Sequence, residues 1–158
     1  MLNIHLIKAA QVLPFLKVLD QREIPIRTYA KRVGLPVDAI NDASGVIGEY
    51  CAWRFIDLVA RYEKLDTYGY DVATSFPIHS IDGLGGMRLR SATCLQNLLE
   101  LFFADAQDES TGCHYSLENE TDGAWLIREK MFGENHNNWQ VEQYMIAIFI
   151  QVIRLCAG

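Results

Sequence analysis

Histidine and cysteine supply most metal ligands and many nucleophiles in proteins, and the chain has four of each. The histidines are not spaced as HxxxH or HExxH, and no two cysteines form a CxxC pair. Cys113 and His114 are adjacent, but neighbouring residues on a strand point to opposite faces and cannot hold one ion together. We therefore predict no metal site and no cofactor.

Two short stretches contain residue types that are used in catalysis or in phosphate binding. His79, Ser80 and Asp82 are the types of a hydrolase triad, but a triad joins distant segments, and Ser80 is better explained as a helix N-cap. The GLGG run at residues 83–86 lacks the GxGxxG spacing, a preceding strand and the Lys-Ser/Thr of a P-loop. We expect no catalytic residues, and a small enzyme is the least favoured of the functions considered below.

Aromatic side chains supply much of the lining of small-molecule sites. Tyr50, Trp53, Tyr115 and Trp125 are therefore candidate ligand-binding residues, with ordinary core packing as the alternative for each. Arg88 is a candidate contact for an anionic group, and a solvated or salt-bridged surface position is its alternative. These five residues form the predicted ligand site.

Length and composition predict a single globular domain over residues 1–158. Apolar residues make up 50% of the chain and charged residues 22%, so a sizeable core can form. The net charge of −6 argues against direct binding of nucleic acid, whose phosphates need a basic face. The scattered cysteines suggest reduced thiols, and the N-terminus does not resemble a signal peptide, so we expect a cytoplasmic protein.

Hydrophobic periodicity and breaker residues predict a mostly helical α+β fold. After a short strand or lead-in at residues 3–7, the chain reads as helices with a connector at 37–48 and a linker-like stretch at 105–112. Gly34 is expected to end the second helix in the C′ position. The predicted helices cover residues 10–21, 25–34, 49–64, 68–75, 80–89 and 95–106.

A β-hairpin is predicted from residues 113–119 and 124–131, which flank an Asp-Gly pair. A two-residue Asp122-Gly123 loop would place Leu117 opposite Arg128 and Tyr115 opposite Lys130, so we favour a three-residue Thr121-Asp122-Gly123 loop. That register puts the inward residues of the first strand on one face with Trp125. Two strands alone are marginal, so the hairpin must pack on a helix or gain a third strand.

The last predicted helix, residues 139–156, is apolar around most of its circumference. Its polar residues Gln140, Gln143, Gln151 and Arg154 share one narrow stripe at helical spacing. The unbroken apolar run is too short for a bilayer, so we predict no membrane span. A helix of this kind must be covered by its own domain or by a partner, and we expect the polar stripe to mark its outer side.

The order of these segments resembles the N-terminal effector-binding, arabinose-binding-like domain of AraC-type bacterial transcription regulators. The opening LPFLKVLDQREIP and the following YAKRVGLP match its first two helices, and WRFIDLVARYEKLDTYGYDVA is similar to its long helix and the short one after it. LGGMRLRSATCLQNLLELF is similar to its paired helices. The resemblance covers residues 7–156 and rests on helix lengths, caps and apolar positions.

The resemblance implies a non-enzymatic sensor domain that couples a small effector to a DNA-binding module. Such regulators continue into two helix-turn-helix units, so we expect this chain to be a fragment or an isolated sensor domain that contacts DNA only through that module. The family name points to sugars, but the aromatic interior would accept an apolar or amphipathic effector at least as readily. We expect the effector to bind between the hairpin and the helices at 49–64 and 95–106. Gln151 and Arg154 are the predicted contacts of a homodimer, and a dimerisation domain without a ligand is the alternative.

Overall fold

Short strands and longer helices alternate along the chain, and the helices dominate. The computed structural model describes residues 4–40, 42, 44–76, 89, 91–131 and 138–157. The strands are β1 (Leu6–Lys8), β2 (Val46–Gly48), β3 (Cys113–Glu120) and β4 (Gly123–Lys130). The helices are α1 (Leu13–Gln21), α2 (Ile26–Val33), α3 (Val37–Ile40), α4 (Glu49–Tyr62), α5 (Tyr68–Ser75), α6 (Leu95–Glu109) and α7 (Trp139–Ala157), and a 3-10 turn covers Ala9–Gln11. The predicted fold class, a mostly helical α+β domain with a small antiparallel sheet and a long C-terminal helix, is confirmed.

Local signals placed most of the helices correctly. Gly34 ends α2 with a left-handed φ of 72°, the conformation that a C′ glycine adopts without strain. Pro14 lies in the first turn of α1, where its missing N–H removes no helical hydrogen bond. The predicted helix at residues 80–89 lies largely outside the described residues.

Two parts of the sequence interpretation are wrong at the elements that border the site. The connector at 37–48 contains β2, which pairs antiparallel with β1, Ile7 lying opposite Ile47. The linker-like stretch at 105–112 is instead mostly helix, because α6 continues to Glu109. Glu109 is buried and accepts hydrogen bonds from Lys8 Nζ at 2.8 Å and Gln11 Nε2 at 3.0 Å, so tertiary contacts extend the helix past its polar residues.

The hairpin has neither of the two registers considered from the sequence. Its loop is Thr121-Asp122, with Glu120 opposite Gly123 and Tyr115 opposite Arg128. The prediction avoided any register that turns an arginine inward, and it was wrong because Arg128 is a buried member of a polar cluster. Trp125 therefore lies on the outer face, 62% exposed.

The inner face of the hairpin packs on helices, as two isolated strands require. Tyr115 stacks on Phe103 of α6, with ring centroids 5.6 Å apart, and meets Phe149 of α7 edge to face at 5.7 Å. The start of the hairpin is also tied to β1, because the Thr111 amide donates to the Leu6 carbonyl at 2.9 Å.

Helices α5 and α7 pack with their backbones in contact. Gly69 N donates to Gln140 Oε1 at 2.9 Å, and a Cβ on Gly69 would lie 1.8 Å from the Gln140 carbonyl oxygen. Further along, Gln143 Nε2 donates to Asp66 O and Gln151 Nε2 to Ala73 O, both at 2.8 Å. The expectation that this polar stripe marks the outer side of the last helix is therefore wrong over most of its length.

The exposed face of α7 is apolar instead. Trp139, Ile146, Ile150 and Ile153 are 55%, 57%, 43% and 39% exposed, and we call these four residues the α7 seam. Their spacing of seven, four and three residues is that of a heptad repeat with apolar a and d positions. None of the described helices has the length and hydropathy that a membrane span requires.

Candidate functional site

A cavity of about 50 Å³ lies between the hairpin and helices α4, α6 and α7. Its lining is aromatic and aliphatic with a few polar groups, which is the usual character of a small-molecule site. Helix α4 contributes Glu49 and Trp53, α6 contributes Phe102, Ala106 and Glu109, the hairpin contributes Cys113, Tyr115 and Arg128, and α7 contributes Val141, Tyr144, Met145 and Ile148. The cavity thus lies where the sequence analysis places an effector; that it holds one stays a prediction.

Arg128 links the hairpin to α7. Its Nη1 donates to both carboxylate oxygens of Glu142, at 2.9 and 3.1 Å, its Nε to Tyr115 Oη at 3.3 Å and its Nη2 to Cys113 Sγ at 3.0 Å. Lys130 also forms an ion pair with Glu142. Because the Arg128 side chain is only 10% exposed, water screens these interactions weakly.

Burial changes the acidity of the groups around Arg128. It raises the pKa of the Cys113 thiol to about 11, although the nearby Arg128 charge opposes the change. It raises the pKa of Tyr115 to about 12, again against the effect of Arg128. Burial by itself lowers the pKa of Arg128, but Cys113, Tyr115 and Glu142 raise it further, so the net shift is upward. The thiol is therefore protonated at neutral pH and is a poor nucleophile.

Glu49 lies at the start of α4 with no solvent exposure. Its Oε1 accepts from Trp53 Nε1 at 2.9 Å and its Oε2 from Ser110 Oγ at 2.8 Å, and the Cys113 thiol approaches Oε1 at 3.9 Å. These donors are neutral. The carboxylate thus ties α4 to the start of the hairpin through hydrogen bonds alone.

Tyr144 of α7 brings an unsatisfied hydroxyl to the cavity. The residue is 4% exposed, and its Oη has no hydrogen-bond partner among the described residues. Its ring lies 4.9 Å from that of Phe15. Burial raises the pKa of Tyr144, and the neighbouring Tyr115 phenol adds to the shift. Buried hydroxyls are usually satisfied, so this one needs an explanation.

The structure brings together two of the five predicted ligand-binding residues. Trp53 and Tyr115 line the cavity. Tyr50 and Trp125 do not: the Arg54 guanidinium lies over the Tyr50 ring at 5.5 Å on the outside of α4, and Trp125 faces outward because of the hairpin register. Arg88 lies outside the described residues.

Glu49, Arg128 and Tyr144 were not among the predicted site residues. Glu49 marked only the start of a predicted helix, Arg128 counted against a register that turned it inward, and Tyr144 was one of the apolar residues of the last helix. The sequence contains one relevant signal: Glu49 and Trp53 are four residues apart, the spacing at which helical side chains meet. A charge in an apolar strand face, as at Arg128, is a second signal of a buried polar partner.

The two predicted dimer contacts differ in their surroundings. Gln151 is half-buried against α5, whereas Arg154 is exposed in the last turn of α7, where its charge suits the helix dipole. Neither belongs to the α7 seam. Their part in a dimer stays a prediction.

Comparison of the sequence with models of known protein families and with curated proteins found no match. Within the described residues, no three His, Cys, Asp or Glu side chains are grouped as metal ligands. The cavity and the exposed face of α7 are therefore the features that indicate a function.

Proposed function

We propose that this chain is the ligand-sensing domain of an AraC-type bacterial transcription regulator, with the cavity beneath the hairpin as its effector site. The observation that carries the proposal is the buried, unpartnered Tyr144 hydroxyl at a cavity in the core. An unsatisfied buried polar group costs about 1–3 kcal/mol. A ligand that satisfies it would recover that free energy.

Coupling to an output would run through α7. Four residues of this helix line the cavity, and Arg128 joins the hairpin to Glu142 of the same helix. An effector that binds one position of α7 better than another shifts the population toward that position. DNA binding would belong to a helix-turn-helix module outside this chain, as in the family that the sequence resembles.

The size of the cavity bears on the identity of the effector. An apolar cavity of about 150 Å³ is known to bind benzene, whereas this one measures about 50 Å³. A pentose has ten non-hydrogen atoms and would need a larger cavity. A longer effector would have to extend beyond the cavity.

Two alanine-to-valine substitutions on α6 test the cavity as a binding site. Ala106→Val adds two methyl groups at the cavity, whereas Ala104→Val makes the same change at an exposed position of the same helix. We expect a thermal-shift screen of sugars, amino acids and fatty acids to find a compound that stabilises the parent and Ala104→Val proteins. The effect should disappear in Ala106→Val, and equal stabilisation of both variants would place the site elsewhere.

A second candidate function, a dimerisation or protein-interaction domain, is supported by the α7 seam. The seam exposes four large apolar side chains at heptad spacing, the pattern by which two helices pack knobs into holes. This candidate does not exclude the first, because a dimer contact on α7 would lie on the helix that the effector site borders.

Analytical ultracentrifugation tests the second candidate. We expect the parent chain to dimerise and Ile150→Glu to be monomeric, because it places a charge in the centre of the seam. Ile4→Glu makes the same change at a position that is 78% exposed and far along the chain from α7, and it should leave the dimer intact. A parent protein that stays monomeric at high concentration would exclude dimerisation through the seam.

A further inference from the structure

The acidic side chains around the cavity differ in whether they form ion pairs. Glu109 receives Lys8, and Glu142 receives Arg128, both as ion pairs within 2.9 Å. Glu49 is more deeply buried than either, with no exposure, and its partners among the described residues are all neutral. A buried carboxylate is normally paired with a cation. Among the described residues, Glu49 is thus an acid of the cavity that has no direct ion-pair partner.

An anionic ligand does not fit this arrangement. Among the described residues, Arg128 is the cation that lines the cavity. Its Nε, Nη1 and Nη2 already donate to Tyr115, Glu142 and Cys113. An anion would have to displace the Glu142 carboxylate, both of whose oxygens accept hydrogen bonds from Arg128 Nη1. It would also lie near Glu49, where like charges repel.

A cation finds favourable groups on several walls. Trp53, Phe102, Tyr115 and Tyr144 contribute aromatic rings, whose faces attract cations. The unpartnered Tyr144 oxygen can accept a hydrogen bond from an N–H group. The charge of Arg128 opposes a cation, but Glu142 already compensates it. The Glu49 carboxylate, the aromatic rings and the hydroxyl therefore favour the same class of ligand.

We propose that the effector site takes a small organic cation, a protonated primary amine with a short apolar part, bound by the Glu49 carboxylate and the Tyr144 hydroxyl. The inference rests on the proposed sensing function and narrows its effector to one chemical class. A cavity of about 50 Å³ holds an alkylammonium of a few non-hydrogen atoms, or the amine end of a longer molecule.

Ethylammonium is a suitable probe, with ethanol and formate as neutral and anionic controls of the same number of non-hydrogen atoms. The readout is the indole N–H signal of Trp53 in a ¹⁵N-labelled sample, because that group donates to Glu49. Trp125 and Trp139 are exposed and serve as internal references. A ligand of three non-hydrogen atoms binds at best in roughly the millimolar range, so the titration covers that range at constant ionic strength.

Two variants separate binding from folding. Tyr144→Phe removes only an unsatisfied hydroxyl, so we expect unchanged or raised stability without ligand and an affinity for ethylammonium lowered about threefold to tenfold. Glu49→Gln keeps an acceptor oxygen but removes the charge, and we expect its affinity to fall about tenfold or more. A Tyr144 with a purely structural role would show the reverse, lower stability and unchanged affinity.

The outcomes distinguish the inference from the function on which it rests. Saturable movement of the Trp53 signal with ethylammonium alone, weakened in both variants, supports the inference. Equal or stronger binding of ethanol or formate at the Trp53 signal overturns the cationic class and leaves a ligand-binding cavity in place. If neither these probes nor the wider screen moves the Trp53 signal or stabilises the protein, the inference and the sensing function both fail.

Discussion

Replacing Gly69 by alanine tests how the last helix is held. A Cβ at this position would lie 1.8 Å from the carbonyl oxygen of Gln140 and 3.0 Å from the amide nitrogen of Tyr144. Since Cβ atoms essentially never approach a backbone atom closer than 3.0 Å, α5 and α7 must separate by more than an ångström. The separation weakens the Gly69–Gln140 hydrogen bond and moves Tyr144, which lines the cavity.

The magnitude of the effect follows from three contributions. Overpacking of a close contact costs about 1–3 kcal/mol, and loss of one buried hydrogen bond costs about 1 kcal/mol. Alanine in place of glycine within a helix returns about 1 kcal/mol. We therefore expect Gly69→Ala to lower the free energy of unfolding by about 2 kcal/mol, which corresponds to a Tm lower by about 4–8 °C in a chain of this size.

Differential scanning calorimetry and urea unfolding measure the effect, with Gly123→Ala as the matched control. A Cβ on Gly123 meets no atom within 4 Å, so the same substitution there should change the free energy of unfolding by no more than about 0.5 kcal/mol. If Gly69→Ala is as stable as Gly123→Ala, the two helices are not in backbone contact. The inward orientation of the polar stripe would then be refuted as well.

Two further predictions concern the cluster around Arg128. Arg128→Met should lower the free energy of unfolding by about 2 kcal/mol in urea denaturation, because Glu142 loses its buried partner and keeps only Lys130. Arg61→Met, at an ion pair that is 70% exposed on the arginine side, should cost less than about 1 kcal/mol. Burial raises the pKa of Cys113 from 9.0 to about 11. As the pH rises through this range, the unfolded chain loses the thiol proton before the folded chain does, so Cys113 should lower the free energy of unfolding by about 1.4 kcal/mol per pH unit. Cys113→Ser has no thiol to titrate and should remove this contribution; an unchanged pH slope would contradict the assignment.

Local rules predicted the elements whose ends are decided by the backbone. Gly34 adopts the left-handed conformation that the glycine was expected to supply, and Pro14 lies in a first turn. These residues act through their own φ angles, so the surroundings change little. Helix α6 shows the limit: its last turn is kept by Glu109, whose partners Lys8 and Gln11 lie about a hundred residues earlier.

The hairpin register shows why hydrophobic pattern alone was misleading. The rule that apolar side chains face inward rejected registers that turn an arginine toward the core, yet Arg128 does face inward. Its burial is tolerated because Glu142 and Tyr115 receive its hydrogen bonds. Those partners lie on other segments, so a single strand's pattern does not contain the information. The same register turns Trp125 to the outer face of the hairpin, away from the predicted ligand site.

The polar stripe of the last helix was read correctly as a stripe and assigned to the wrong side. Periodicity gives the angular position of a face but does not name the neighbour that covers it. Here the neighbour is α5, where Gly69 lets the backbones meet. The carbonyl groups of Ala73 in α5 and of Asp66, just before it, accept hydrogen bonds from glutamine side chains. A stripe of amides is thus well suited to a close helix contact, because its N–H groups donate to backbone carbonyls of the neighbouring segment.

The contact of the glutamine stripe with α5 determines how an effector would act on α7. With the glutamines held against α5, the face of α7 left to solvent is mostly the apolar seam, and the face toward the hairpin contains Glu142 and Met145. A ligand at the Tyr144 hydroxyl would therefore act on a helix that is fixed on one side, linked to the hairpin on another and exposed on a third. A small rotation of α7 would change the exposed seam while it changes the cavity, so effector binding and dimer formation would be thermodynamically linked. Sedimentation of the parent chain with and without a stabilising compound tests this linkage, and a dimer constant that does not change with the compound would separate the two functions.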